Sequence, residues 1–119
     1  MKPFKVEPEF EMRDTPKSYR SYPGGKNLPA ELKVWRIQNT PPEKTAGVVN
    51  APSAFNGKDS EVLAYGYNDS KEFRSVAIGR HKNFLQWGFD GSPSSMTKAG
   101  KMLFINCVIY ISKHDSTRL

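Results

Sequence analysis

The stretch of residues 83–113 constrains the fold more than any other part of the chain. It contains an aromatic segment, a short loop rich in hydroxyl side chains, and a long apolar segment whose residues recur at helical spacing. The sequence therefore predicts one long helix over about residues 97–113. Because apolar residues cover most of its circumference, we expect this helix to be covered on more than one side. The rest of the chain is expected to pack around it.

Four residues in and before this helix have predicted structural roles. Either Ser94 or Thr97 can cap its first turn, and Thr97 is favoured. Cys107 is the single cysteine of the chain and lies in its most apolar part, which favours a small buried hydrophobe over a reactive thiol. Asn106 is interpreted as a buried, hydrogen-bonded polar residue of the packed helix.

Five strands are predicted before the helix. Over residues 4–12 the apolar side chains take one parity and the glutamates the other, which indicates a strand with one buried and one wet face. Pro8 on the apolar parity removes a hydrogen-bond donor and places this strand at a sheet edge. The connection between the last two strands is short enough for an antiparallel hairpin. The other four predicted strands cover residues 34–38, 61–67, 74–80 and 83–89.

These elements predict an α+β fold, with a small, mainly antiparallel sheet of about five strands packed by the one long C-terminal helix (about 97–113) and with long irregular loops. A parallel sheet is left open as the alternative. The length of 119 residues indicates a single domain over residues 1–119. In the long 39–60 connection, apolar pairs are expected to anchor the chain, and small residues of the fourth strand are expected to admit a helix. The anchors are Val48, Val49, Ala54 and Phe55, and the small residues are Ser75, Ala77 and Gly79.

The charge of the chain points to one class of partner. The formal net charge is +6, so contact with polyanions such as nucleic acid is an expected function class. The lysines are dispersed, however, and the densest basic cluster is Arg80, His81 and Lys82. Dispersed lysines are more typical of a solubility role than of a binding surface.

Residues 61–113 resemble the closing part of a known fold. The chain runs through Val76-Ala-Ile-Gly-Arg, the strand Phe84-Leu-Gln-Trp-Gly-Phe, a short Ser-Pro loop and Met96-Thr-x-x-Gly-x-x-Leu-Phe-x-Asn-x-Val-x-Tyr. This succession resembles the closing β–β–helix of the trehalose-utilisation-type (ThuA-like) branch of the class I glutamine-amidotransferase-like fold. It is also similar to the C-terminal ends of uncharacterised exported bacterial proteins.

The catalytic residues of that family have no counterparts here. In true amidotransferases a cysteine on a strand-to-helix elbow pairs with a His-x-Glu. In this chain Cys107 lies within the helix, and neither His81 nor His114 has a glutamate two residues later. No catalytic residue is therefore carried over from the resemblance.

Other patterns that carry chemistry are also missing from the sequence. The two histidines and the single cysteine give no metal-ligand spacing. The serines of the 92–95 loop lack the Gly-x-Ser-x-Gly elbow of a nucleophile and are interpreted as caps and turns. We predict no catalytic residue, no metal and no cofactor, and we lean towards a function other than catalysis.

Seven residues form the candidate ligand- or anion-binding site. A helix N-terminus ringed by hydroxyls and a lysine can hold an anion, and the basic cluster before the fifth strand is the second half of the site. The direction of that strand places the two halves at opposite ends of the sheet. The seven residues are Arg80, His81, Lys82, Ser94, Ser95, Thr97 and Lys98.

The sequence leaves three functional hypotheses. The first is a non-enzymatic accessory or protein/ligand-interaction domain that docks a protein or glycan through exposed aromatics and the 39–60 loop. The alternative is electrostatic binding of a polyanion such as nucleic acid. The remote alternative is a degenerate amidotransferase-like enzyme domain. Neither a membrane span nor a signal peptide is predicted, so we expect a soluble chain, cytoplasmic or part of an exported protein. The partner and the oligomeric state stay open.

Overall fold

The computed structural model describes residues 2–39, 50–68, 71–89 and 92–114. Within these ranges, five strands form two antiparallel sheets and one α-helix follows at the C-terminal end. The predicted α+β class, with about five mainly antiparallel strands and one long C-terminal helix, is confirmed. The elements are β1 (Phe10–Asp14), β2 (Glu31–Trp35), β3 (Ser60–Tyr65), β4 (Val76–His81), β5 (Phe84–Trp87) and α1 (Lys98–Ser112), with short 3₁₀ helices at Lys17–Ser21, Pro52–Phe55 and Pro93–Ser95.

β1 and β2 form the two-stranded sheet, and the prediction of a first strand over residues 4–12 is wrong in its start and in its buried face. The strand begins only at Phe10, and its apolar parity is not buried, because Phe10 and Met12 are 44% and 57% exposed. Glu11 and Arg13 on the other parity are half-buried instead. These two charged side chains can face inward because Arg13 Nε donates to Glu11 Oε1 at 3.0 Å.

The N-terminal segment is held by the helix rather than by a sheet. The backbone N–H of Phe4 donates to Asn106 Oδ1 at 2.7 Å, and Asn106 Nδ2 donates to the Phe4 carbonyl at 2.8 Å. One side-chain amide thus satisfies both backbone groups of Phe4, as a neighbouring strand would. This arrangement confirms that Asn106 is hydrogen-bonded, whereas its predicted burial is wrong because the residue is only half-buried.

β4 is the central strand of the three-stranded sheet, between β3 and β5. It is antiparallel to both neighbours, and its residues Val76, Ala77 and Ile78 are at most 2% exposed. The predicted hairpin is confirmed, with His81 opposite Phe84. This sheet and the C-terminal half of α1 build the core cluster of Ala77, Ile78 and Cys107.

The small residue Gly79 admits an aromatic ring rather than the expected helix. A Cβ at Gly79 would lie 2.5 Å from Cε1 of Phe55, so the ring packs directly on the backbone of β4. Phe55 is 6% exposed, which confirms it as an anchor of the 39–60 connection. Ala54, also predicted as an anchor, is exposed, and Val48 and Val49 lie outside the described residues.

The start of α1 is fixed by Thr97. Its Oγ1 accepts a hydrogen bond from the backbone N–H of Gly100 at 3.0 Å, which confirms the predicted cap. The same hydroxyl donates to the Arg36 carbonyl at 2.7 Å. The backbone N–H of Thr97 donates to the Ile37 carbonyl at 2.9 Å, so the cap also joins the helix to the segment after β2.

One face of α1 is exposed, although several elements contact the rest of the helix. Phe104, Ile105 and Val108 are 40%, 39% and 52% exposed. Among the described residues, α1 packs against β5 and the core cluster, against Ile37 at Gly100 and against Phe4 at Asn106. Within the described ranges, no helix combines the length and the hydropathy needed to cross a membrane.

We expect Gly100→Ala to destabilise the fold although alanine is the better helix former. A Cβ at Gly100 would overlap the Ile37 carbonyl oxygen, and overpacking of this kind costs about 1–3 kcal/mol. Urea unfolding followed by far-UV circular dichroism measures the effect, with Lys101→Ala on the exposed side of the same turn as the control. A Gly100→Ala variant as stable as the control would contradict the close contact.

Candidate functional site: a groove between the two sheets

A groove of about 450 Å³ separates the β1–β2 sheet from the β3–β4–β5 sheet. Its volume lies within the range of ligand sites in proteins, about 300–1,000 Å³. One wall is the strand β2 with its continuation, and the opposite wall is β3 with the residues that follow it. Ile78, Phe89, Leu103 and Cys107 form the floor.

Both walls present the edge of a strand to the groove. The lining includes every residue of Lys33–Gln38 and every residue of Leu63–Tyr67. A strand that turned one face to a groove would contribute alternate residues, because successive side chains point to opposite faces. The two uninterrupted runs therefore indicate that the groove reaches the edges of β2 and β3, where the backbone is accessible. β1 contributes the alternate residues Glu11 and Arg13, so the groove also lies along the inner face of the β1–β2 sheet.

Cys107 gives the floor its only thiol, since it is the single cysteine of the chain. The residue is 7% exposed, and burial raises the pKa of its thiol. A thiol with a raised pKa is mostly protonated at neutral pH and is a poor nucleophile. Its predicted role as a buried hydrophobe is confirmed.

The charged groups around the groove are mainly cationic. Arg13, Lys33 and Arg36 are among its described lining residues, and Glu11 is the one acid among them. Glu11 pairs with Arg13, whose guanidinium lies 5.5 Å from the ring centre of Tyr67. Arg36 donates to the neutral amide oxygen of Asn39 at 2.7 Å. An anionic group near the groove would therefore meet Arg36 without displacing a carboxylate from it.

The basic half of the predicted anion site lies at the β4–β5 hairpin. Arg80 Nε donates to Glu61 Oε1 at 2.6 Å, and its Nη1 donates to the carbonyl of Lys82 at 2.8 Å. His81 Nδ1 lies 2.7 Å from Ser60 Oγ. The imidazole stacks on Phe55 with ring centres 4.5 Å apart. Arg80 and His81 thus already have partners within the chain.

The contact between Ser60 and His81 pairs a hydroxyl with an imidazole, as in a nucleophile with its base. The two residues are directly opposite each other on β3 and β4, so the contact is an ordinary cross-strand pair. Neither residue lines the groove. We therefore interpret the pair as structural.

The hydroxyl half of the predicted site lies at the start of α1. Ser94 Oγ is 2.9 Å from Ser92 Oγ, the carbonyl of Ser95 accepts from Asn39, and Thr97 is the buried cap. Lys98 is exposed. The serines and the threonine thus serve the turn and the cap.

The structure does not bring the two halves together. Tyr110 donates to Glu61, which places the C-terminal end of α1 beside Arg80. Thr97 precedes Tyr110 by 13 residues, and at about 1.5 Å per residue the two ends of the helix are roughly 20 Å apart. Anion binding at either half stays a prediction.

No known protein-family model, curated protein or solved structure matches this chain. The resemblance of residues 61–113 to the ThuA-like branch therefore stays an expectation. Among the described residues, no group of three or more metal-ligating side chains lies together. The groove consequently has to be interpreted from its own geometry.

We expect the Glu61 carboxylate to contribute stability that depends on pH. Hydrogen bonds from Tyr110 and then Arg80 hold the pKa of Glu61 below its ordinary value of 4.5. A lowered pKa in the folded state means that the contribution is present above about pH 4.5 and is lost as the pH falls through the folded pKa.

The variant Glu61→Gln tests this pH dependence. Its deficit in the free energy of unfolding should be constant above about pH 5 and should shrink at lower pH. Denaturant unfolding between pH 3 and pH 7 measures it, with the exposed Glu7→Gln as the control. A deficit that does not change with pH would show that the negative charge is not the cause.

Proposed function

We propose that this chain is a binding domain and that its ligand occupies the groove between the two sheets. The observation that carries the proposal is the groove itself, which has an apolar floor, two strand edges as walls and mainly cationic surroundings. Concave apolar sites with a few polar groups at their margins are the usual form of ligand sites in proteins.

The chemistry of the groove defines the ligand. Ile78, Leu103 and Phe89 offer apolar surface to an apolar or aromatic body. Arg36, which donates to an amide oxygen rather than to a carboxylate, offers a charged partner to an acidic group. The expected ligand is therefore an apolar or aromatic group that carries a negative charge.

Binding is favoured over catalysis by the state of the reactive groups in the groove. The Cys107 thiol has a raised pKa and is mostly protonated, and Glu11 is paired with Arg13. A thiol or acid that acts in catalysis normally has its pKa adjusted towards the working pH and is aimed at the substrate. The enzyme hypothesis has no comparable support among the described residues.

Polyanion binding remains the alternative, without a specific observation in its favour. Several arginines that would contact a polyanion are occupied within the chain. Arg13 and Arg80 pair with glutamates, and Arg20 donates to three backbone carbonyls. Nucleic-acid binding would weaken steeply as the salt concentration rises, whereas binding in an apolar groove would weaken much less.

The proposal is tested with 8-anilinonaphthalene-1-sulfonate, an aromatic body with one negative charge. We expect saturable binding at one site, and slower labelling of Cys107 by a thiol reagent when the probe is bound. Because Cys107 is the single cysteine and lies in the groove floor, its labelling rate reports on the groove, provided that the free energy of unfolding is measured in parallel with the probe bound. A double-stranded DNA titrated at low and high salt is the parallel arm for the polyanion alternative.

Two matched variants locate the binding site of the probe. Leu63→Glu places a negative charge on the groove wall, where Leu63 is 39% exposed. Phe84→Glu places the same charge outside the described groove lining, where Phe84 is 76% exposed. We expect about a tenfold loss of affinity from the first variant, equal to about 1.4 kcal/mol, and less than about twofold from the second. Equal losses of affinity in the two variants, or Cys107 labelling that the probe does not slow, would contradict binding in the groove.

A further inference from the structure

We propose that the natural occupant of the groove is an extended acidic peptide segment that adds as a strand to the free edge of β2. The inference rests on the proposed function and names its ligand class. Addition of a strand to an open sheet edge is a recurring mode of peptide recognition, in which backbone hydrogen bonds supply affinity and side-chain positions supply specificity.

The pairing of β1 with β2 shows which backbone groups of β2 face the groove. At one end of the sheet the N–H of Arg36 donates to the carbonyl of Glu9, and at the other the N–H of Thr15 donates to the carbonyl of Ala30. Hydrogen-bonded residues alternate along an antiparallel strand. The even-numbered residues of β2 therefore point their backbone groups towards β1, and the odd-numbered Lys33 and Trp35 point theirs away from it.

The chain itself pairs with this same edge farther along. The N–H of Asn39 donates to the carbonyl of Ser95 at 2.7 Å, and the N–H of Thr97 donates to the carbonyl of Ile37 at 2.9 Å. The 37–39 and 95–97 segments are antiparallel, with a bridge between Gln38 and Met96. The edge is thus partnered as far as Ile37, and in the part of the chain that the structure describes this partner ends where α1 turns away.

The groove extends along β2 beyond the point where this partner ends. Lys33 and Trp35 line it, and no described strand pairs with β2 on this side. An added peptide would run antiparallel to β2, in the same direction as residues 95–97. The part of this edge that lines the groove and is not paired with residues 95–97 is 33–36. Its four residues, at about 3.3 Å each, are enough for a short strand.

The side chains on both sides of the edge determine the composition of the peptide. On the outer face, Lys33 Nζ lies 4.2 Å from the ring centre of Phe10, and Lys33 is a cross-strand neighbour for an acidic side chain. On the inner face, the floor residues Leu103 and Ile78 offer apolar contacts. Because side chains of a strand alternate between faces, the peptide should alternate apolar and acidic residues.

The probe is the peptide acetyl-Val-Asp-Val-Glu-Val-Asp-amide, with binding measured by isothermal titration calorimetry. The first control has the same sequence, but every second backbone amide is N-methylated. The methylated amides are those that would face β2. N-methylation removes hydrogen-bond donors but leaves charge and apolar side chains in place. We expect it to weaken binding at least about tenfold, and a second control with lysine for each acidic residue not to bind measurably.

Amide hydrogen exchange supplies a readout specific to strand addition. Saturating peptide should slow exchange of the Lys33 and Trp35 amides, while the Val34 amide, which faces β1, should change little. Lys33→Glu should weaken peptide binding by about tenfold. Lys101→Glu, which makes the same charge change outside the described groove lining, should weaken it by less than about twofold.

The outcomes separate this inference from the proposed function. Peptide binding that N-methylation does not weaken, or that leaves Lys33 and Trp35 exchange unchanged, overturns strand addition. If the sulfonate probe protects Cys107 and the peptide does not bind, the groove remains a small-ligand site and strand addition fails. If neither probe binds the groove, both proposals fail.

Discussion

The backbone junction between residues 37–39 and 95–97 is the contact on which the rest of the structure depends. Two hydrogen bonds, from Asn39 to Ser95 and from Thr97 to Ile37, join the continuation of β2 to the start of α1. An isolated pair of strands is marginally stable in water, and the β1–β2 sheet contributes no residue to the buried core cluster. The junction attaches that sheet to a helix that is packed on the other sheet.

A second attachment lies on the other side of the groove. The hydroxyl of Tyr67 donates to the carbonyl of Asp14 at 2.6 Å, and the same ring lies under the guanidinium of Arg13. With the two sheets held at both places, the edges of β2 and β3 need not pair with each other between them. These backbone and cap contacts form the groove before any ligand binds. A preformed site needs little ordering of its residues on binding, so little affinity is lost.

The sequence predicted what local patterns specify and missed what depends on distant contacts. The α1 helix, its cap at Thr97 and the β4–β5 hairpin all follow from spacing and turn length. The orientation of β1 does not, because its alternation shows which residues share a face but not which face is inward. Arg13 and Glu11 turn inward and the apolar parity outward, and the groove follows from that choice.

The open edge of β2 also explains why an acidic partner fits better than a second copy of the chain. Unpaired strand edges ordinarily invite pairing with another molecule of the same protein. Here the edge carries Lys33 and lies beside Arg36, within a chain of net charge +6. The part of this edge that lines the groove, residues 33–38, carries no acid. Two copies of this part would repel each other, whereas an acidic segment would be attracted to either one. The same cations thus discourage self-association and favour a complementary strand, which is how charge supplies specificity at a strand edge.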